Sequence, residues 1–232
     1  MHPFVVTVLL LCSFICNHGA SAQTYAVKKV LPGAVTVSGT GQSAAWLQAN
    51  ILTHFIYPWE KEKPPATAFA ALWDGQWLYC LFTVTDDSVI IYRINNDKRE
   101  TGASDRVEIF FKADDNMSPY YCLEMDAAGR TLDYSANYYR LMQYHWNWPK
   151  EQLIIKTART ANGYQLEAAI GIATLQQLGL LKDNQLQAGL FRAERTGTQN
   201  GKADVKWISW VDPKSDKPDF HIPAAFGILK LE

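Results

Sequence analysis

Three carboxylates stand at alternating positions of short apolar runs, where a β-strand would turn them to one side. In Val107-Glu108-Ile109-Phe110-Phe111, residues 107, 109 and 111 share one face and leave Glu108 and Phe110 on the other. In Cys122-Leu123-Glu124-Met125-Asp126, Glu124 and Asp126 share a face opposite Leu123 and Met125. The three acids are expected to converge on the concave face of one sheet, with Arg192 opposite them. Charged groups gathered in this way make strong hydrogen bonds to ligands rich in hydroxyls, which both donate and accept. The same alternation also describes an exposed sheet face whose charges merely balance.

The aromatic residues, 8 Trp, 11 Tyr and 10 Phe, offer flat contact area at little entropic cost. Trp73, Trp77, Trp207 and Trp210 lie in strand-like runs and read mainly as core, and Trp59 beside Pro58 reads as packing. Tyr144-His145-Trp146-Asn147-Trp148, ended by Pro149, reads as an aromatic loop that either faces a ligand or folds back over a sheet edge. Asp86-Asp87 and Asp114-Asp115-Asn116 offer oxygen ligands of the kind calcium takes, without a recognised calcium-loop spacing. No Gly-x-Ser-x-Gly elbow, phosphate loop or zinc-helix motif occurs, so nothing requires a nucleophile.

The elements that must position these groups are mostly strands. Strand runs are expected at 67–73, 77–84, 105–112, 120–126, 153–160, 164–170, 187–194, 205–211 and 227–231. Asp74-Gly75 marks one turn, and Asn162-Gly163 is the strongest hairpin signal. One short helix is expected at 173–180, and 25–65 reads as irregular. The fold class expected is an all-β antiparallel sandwich of the jelly-roll or immunoglobulin-like kind.

The first residues read as a secretory signal. An apolar run from Phe4 to Ile15 precedes a polar break and Ala20-Ser21-Ala22, with cleavage expected before Gln23. The run is too short for a bilayer, which needs about 20 apolar residues. Residues 1–22 are thus a signal peptide and 23–232 one exported domain, periplasmic or extracellular. A net charge of −1 argues against nucleic acid or an anionic membrane as partner. Cys80 and Cys122 remain in the exported domain, either bridging neighbouring strands or, as sheet geometry favours, left as two buried thiols.

The ordered landmarks are Ala71-Leu72-Trp73-Asp74, Trp77-Leu78-Tyr79, Asp86-Asp87, Asp105-Arg106-Val107-Glu108, Phe191-Arg192-Ala193-Glu194 and Phe220-His221-Ile222-Pro223. In order and spacing this series resembles the family 9 carbohydrate-binding modules over roughly residues 40–232. The resemblance implies a β-sandwich that binds sugar units, often at chain ends, within systems that degrade polysaccharides, endoxylanases among them. Structural calcium occurs in the family. Two aromatic rings clamp the sugar, and charged side chains bond its hydroxyls. By position, Phe220 stands where one clamping ring is expected, with His221 beside it. Glu108, Glu124, Asp126, Arg192 and Glu194 stand at or near the polar contact positions. The second ring is expected just before the Asp-x-Val-Glu motif, where this chain has Gly102 and Ala103. Trp146 and Trp148 are the candidates to replace it.

Non-catalytic glycan binding is therefore the leading expectation, with a glycan and a polysaccharide-degrading enzyme as partners and calcium the one cofactor considered. A glycosidase would need two carboxyls flanking the scissile bond, for which Glu108 and Glu124 are the candidates. A haem domain of a related sandwich superfamily would need axial ligands from among His54, His145, His221, Met117, Met125 and Met142.

Overall fold

The structure is a computed structural model that describes residues 22–199 and 202–232. The export signal expected at 1–22 lies outside the described residues, apart from Ala22. The chain opens with β1 (Thr24–Lys29), β2 (Ile51–Leu52), β3 (Thr67–Trp73) and β4 (Trp77–Thr85). Next come β5 (Arg106–Lys112), β6 (Tyr120–Asp126), β7 (Thr131–Asn137), β8 (Leu141–Gln143), β9 (Leu153–Thr160) and β10 (Gly163–Gly171). A single α-helix among the described residues, α1 (Ile172–Gln177), precedes β11 (Leu181–Lys182), β12 (Gln185–Gln199), β13 (Lys202–Ser209) and β14 (Gly227–Leu231).

Local chemistry sets the turns. Asp74 Oδ1 accepts the backbone N–H groups of Gln76 and Trp77 at 2.9 and 2.8 Å, closing the β3–β4 turn. After the β9–β10 turn, a Cβ on Gly163 would stand 2.0 Å from the Val84 carbonyl oxygen, so only glycine fits.

Hydrogen bonds join the strands in the order β8-β7-β6-β5-β12-β14-β1-β3-β4-β10-β9, with β11 and β13 on β12 and β2 on β3. The fold is mostly β, and the sheet curls so that its two halves share a core. Val107, Ile109 and Phe111 of β5 meet Phe69, Cys80 and Leu166 of the other half there. The opposite face of β5, β6 and β12 carries a second cluster, in which Phe110, Tyr120, Cys122 and Phe191 are covered by Phe220 and Phe226. Every residue of β5 and β6 is consequently buried, as expected of strands covered on both faces.

Two expectations are corrected. The segment expected to be irregular contains β1, whose Tyr25 and Val27 alternate into the core. β1 also runs parallel to both β14 and β3, so the sheet is antiparallel in its other pairings but not throughout. The alternation expected in residues 107–111 and 122–125 agrees with the two clusters. Cys80 and Cys122 are free buried thiols, one in each cluster.

Candidate functional site

Outward-facing positions of β5, β6 and β7 floor a cavity of about 430 Å³ on the side away from the main core. Arg106, Glu108 and Phe110 come from alternate positions of β5, and Glu124 stands directly across from Glu108 on β6. Arg106 lies between the two acids: Nη2 is 2.8 Å from Glu108 Oε1, and Nε is 2.8 Å from Glu124 Oε2. Its Nη1 donates to the Gly102 carbonyl at 2.8 Å. Both contacts are charge-assisted, and they hold the guanidinium and the two carboxylates in place in the cavity floor. The Tyr134 hydroxyl donates to Glu124 Oε1 at 2.8 Å. Burial pushes the Glu108 carboxyl up to about 8; Arg106 opposes the shift and Glu124 adds to it.

Aromatic rings wall the cavity. On one side Trp207 lies over the Arg106 guanidinium, 5.3 Å from ring centroid to Cζ. Phe220 meets Trp207 edge-on, with centroids 5.6 Å apart and planes at 88°. On the other side Tyr144 leans on Tyr134 at 5.1 Å, with Leu132 and Met142 beside them. Arg99, Arg140 and Asp219 also line it.

The 218–221 segment is fixed by local bonds. Asp219 Oδ1 accepts the His221 N–H at 2.9 Å, and the Tyr139 hydroxyl donates to Oδ2. His221 Nδ1 and the Tyr120 hydroxyl are 2.8 Å apart. Burial, with Arg140 adding, holds the imidazole down at about 4, so His221 is neutral at pH 7.

The expected site residues divide between this cavity and other places. Glu108, Glu124, Phe220 and His221 all line it. Asp126 shares their face but closes the β6–β7 turn, accepting N–H groups from Ala128 and Arg130 and pairing with the Arg130 guanidinium. Arg192 is not opposite the acids. It sits one residue out of phase, across from Val107, and is fully buried on the inner face. There it pairs with Asp86 at 3.1 Å and Glu194 at 3.4 Å. Glu194 also accepts from the Tyr57 hydroxyl. Trp148 packs on Phe111 in the main core and Trp146 on Tyr121, so the aromatic loop folds back over the sheet edge. Only its first residue, Tyr144, reaches the cavity.

Of the calcium candidates, Asp86 pairs with Arg192 and accepts the Ser88 N–H, Asp87 follows it in a turn, and Asp115 pairs with Lys112. No cluster of three or more His, Cys, Asp or Glu side chains able to hold a metal occurs among the described residues. Gly102 and Ala103 do line the cavity, at the place where a second clamping ring was expected.

Several lining residues escape the sequence reading, Arg106, Trp207 and Tyr134 among them. Arg106 alternates with Glu108 along β5, which is the signal that places it on the same face. Trp207, expected in the core, stands on the opposite face from its neighbour Ile208, which is the buried one. Tyr134 belongs to a strand whose Asp, Ser and Asn residues hid its alternation of Leu132, Tyr134 and Ala136.

The sequence profile of the "Carbohydrate family 9 binding domain-like" family matches residues 37–232. A search of the curated proteins finds no match. Among solved structures, the fold is similar to that of a candidate carbohydrate-binding protein from Bacteroides uniformis. The TM-score is 0.70 at 18% identity, covering 91% of this chain and 100% of that one. It is also similar to a family 9 carbohydrate-binding module from Caldicellulosiruptor kristjanssonii in complex with cellotriose. The TM-score there is 0.55 at 17% identity, over 90% and 94% of the two chains. The same kind of module in complex with glucose gives a TM-score of 0.53 at 17% identity, over 90% and 96%. With its profile match spanning most of the length, the chain belongs to the carbohydrate family 9 binding domain-like family.

Proposed function

We propose that the cavity over β5, β6 and β7 is the sugar site and that the protein acts by non-covalent glycan recognition. One observation carries this: a charged floor of Arg106, Glu108 and Glu124 lies between aromatic walls. Pyranose rings present apolar C–H faces to such walls and hydroxyls to such a floor. The cavity volume falls in the range of small-ligand sites. Relatives crystallised with glucose and cellotriose support a ligand of one to a few sugar units. The curled sheet is read as a β-sandwich with the site on the outside of one layer.

The floor favours binding over hydrolysis. Glu108 and Glu124 stand side by side on one surface and share Arg106, whereas a glycosidase sets its carboxyls on the two sides of the bond it cleaves. The sequence signal at 1–22 supports export, and the family supports a place beside polysaccharide-degrading enzymes.

A glycan array probed with the protein from Gln23 onward, followed by calorimetry with Trp207→Ala, tests the assignment. Trp207 is half-buried, so its loss should weaken binding about tenfold or more while circular dichroism stays native. Unchanged affinity in the variant would move the site elsewhere.

A further inference from the structure

We propose that the ligand is a neutral oligosaccharide of at least two linked units, whose second unit occupies an adjoining cavity on the far side of Tyr144. The inference rests on the cavity over β5, β6 and β7 being the sugar site and concerns how far the ligand extends from it.

A second cavity, of about 360 Å³, lies beside the first, and Arg99, Met142 and Tyr144 line both. The Tyr144 ring is 39% exposed and leans on Tyr134 at 5.1 Å, so protein backs it from behind. A sugar chain leaving the first cavity on this side passes Tyr144 to reach the second. The ring offers it the flat apolar contact that pyranose C–H faces take.

The walls of the second cavity are fixed before a ligand arrives. Lys98, which lines it, donates from Nζ to the Asp133 carbonyl at 2.7 Å and to Asp133 Oδ1 at 3.0 Å. The same Nζ reaches the Trp146 carbonyl at 3.1 Å and Asn147 Oδ1 at 2.9 Å. One ammonium thus ties the 97–99 turn to β7 and to the loop after β8, and preorganised walls cost a ligand less to bind. The charges are spent as well: Arg99 pairs with Asp97 at 3.2 Å, and Lys98 with Asp133. The first cavity likewise sets three arginines against three acids, with Arg106 on the two glutamates and Arg140 nearest Asp219. Neither cavity has formal charge to spare, which suits a neutral ligand. What the second leaves unspent is the Gln143 amide and the His145 ring, both exposed and without a side-chain hydrogen bond among the described residues. The amide donates and accepts, as sugar hydroxyls do, and the ring nitrogens serve the same hydroxyls.

Titration calorimetry with glucose, xylose, glucuronate and the β-1,4-linked di- and trisaccharides of glucose and of xylose provides the test, on the wild type and on a variant combining Gln143→Ala with His145→Ala. The disaccharide of the preferred monosaccharide should bind about tenfold more tightly than the single unit, the worth of one or two added hydrogen bonds. The double variant should lose most of that advantage and keep its affinity for the single unit. Both side chains are exposed and lie outside the first cavity, so neither folding nor the first unit's contacts are at stake. A disaccharide that binds no more tightly than its monosaccharide would overturn the proposal and leave the sugar site standing. An advantage that survives in the double variant would also overturn it, by sending the second unit elsewhere. Glucuronate binding more tightly than glucose would overturn the neutral assignment. Failure of every sugar to bind would sink the site and the proposal together.

Discussion

Arg106 lies between Glu108 and Glu124, 2.8 Å from each, and the three form a buried ionic floor facing the cavity. One cation serves two acids, so the second acid is held only by raising its affinity for a proton. That makes the floor sensitive to pH.

Stability should fall as pH rises through the upper part of the neutral range, and Glu108 should be the cause. Its carboxyl titrates near 4.5 unfolded and near 8 folded, so the folded state binds the extra proton between those values. The contribution is full below the unfolded value and is lost as pH rises towards 8. His221, held at about 4, works the other way: its contribution grows between about 4 and 6.5 and is complete above that. Asp105, raised to about 6 by burial, loses its contribution between 3.8 and 6. Between pH 6.5 and 8 the Glu108 effect therefore stands alone, at no more than about 1.4 kcal/mol per pH unit. Urea denaturation across that window should show the decline, and Glu108→Gln should flatten it. An equal decline in the variant would assign it to another group.

Phe220→Ala should unfold the protein more readily as well as weaken binding. The ring is 5% exposed, stacked on Phe191 at 4.0 Å and 9° and packed against Trp59. Truncating such a ring costs about 3–5 kcal/mol. The midpoint of denaturant unfolding measures this directly. A native midpoint would mean the segment collapses into the gap. The variant is a poor probe of affinity for this reason, and Trp207 is the better one.

Gly102→Trp should tighten sugar binding. A Cβ at Gly102 would meet only Leu132 Cδ2 at 3.5 Å and Glu124 Oε2 at 3.9 Å, both ordinary contacts. A ring there would add aromatic area beside Leu132 and Glu124, and affinity for a sugar the wild type binds should rise several-fold by calorimetry. Weaker binding would show that the added ring blocks the ligand.

Millimolar calcium should leave Tm unchanged. Ligand binding to the native state raises Tm by mass action, but the carboxylate of Asp86 already neutralises the fully buried Arg192. Calorimetric scans with calcium and with chelator check this, and a rise of several degrees with calcium would contradict it.

The fold was readable where apolar alternation is strong, as in 67–73, 105–112 and 120–126, because period 2 assigns each side chain to a face. It was hidden where polar residues interrupt the pattern, as in β7, or where glycine and proline dominate the surroundings, as around β1. The site was half readable for a related reason. Parity put Glu108 and Glu124 together correctly. Nothing local reveals that Arg192 stands one residue out of phase with them, since that depends on how β12 pairs with β5. The Tyr144–Trp148 loop shows the same limit: its composition suits a ligand, and its packing against Phe111 and Tyr121 is a tertiary fact.

The parallel pairing of β1 also dictates an order of events during synthesis. Thr24 aligns with Ile228, and Lys28 with Leu72, so one short strand joins the two halves of the sheet. Its partner β14 leaves the ribosome last of all the strands, whereas β1 is among the first to emerge. The seam cannot close until nearly the entire chain has been made, and loop closure over such a span is slow. Because the pair is parallel, the chain enters β1 beside the start of β14 and leaves β14 beside the end of β1, so connections at the two ends of the domain depart from opposite ends of this seam.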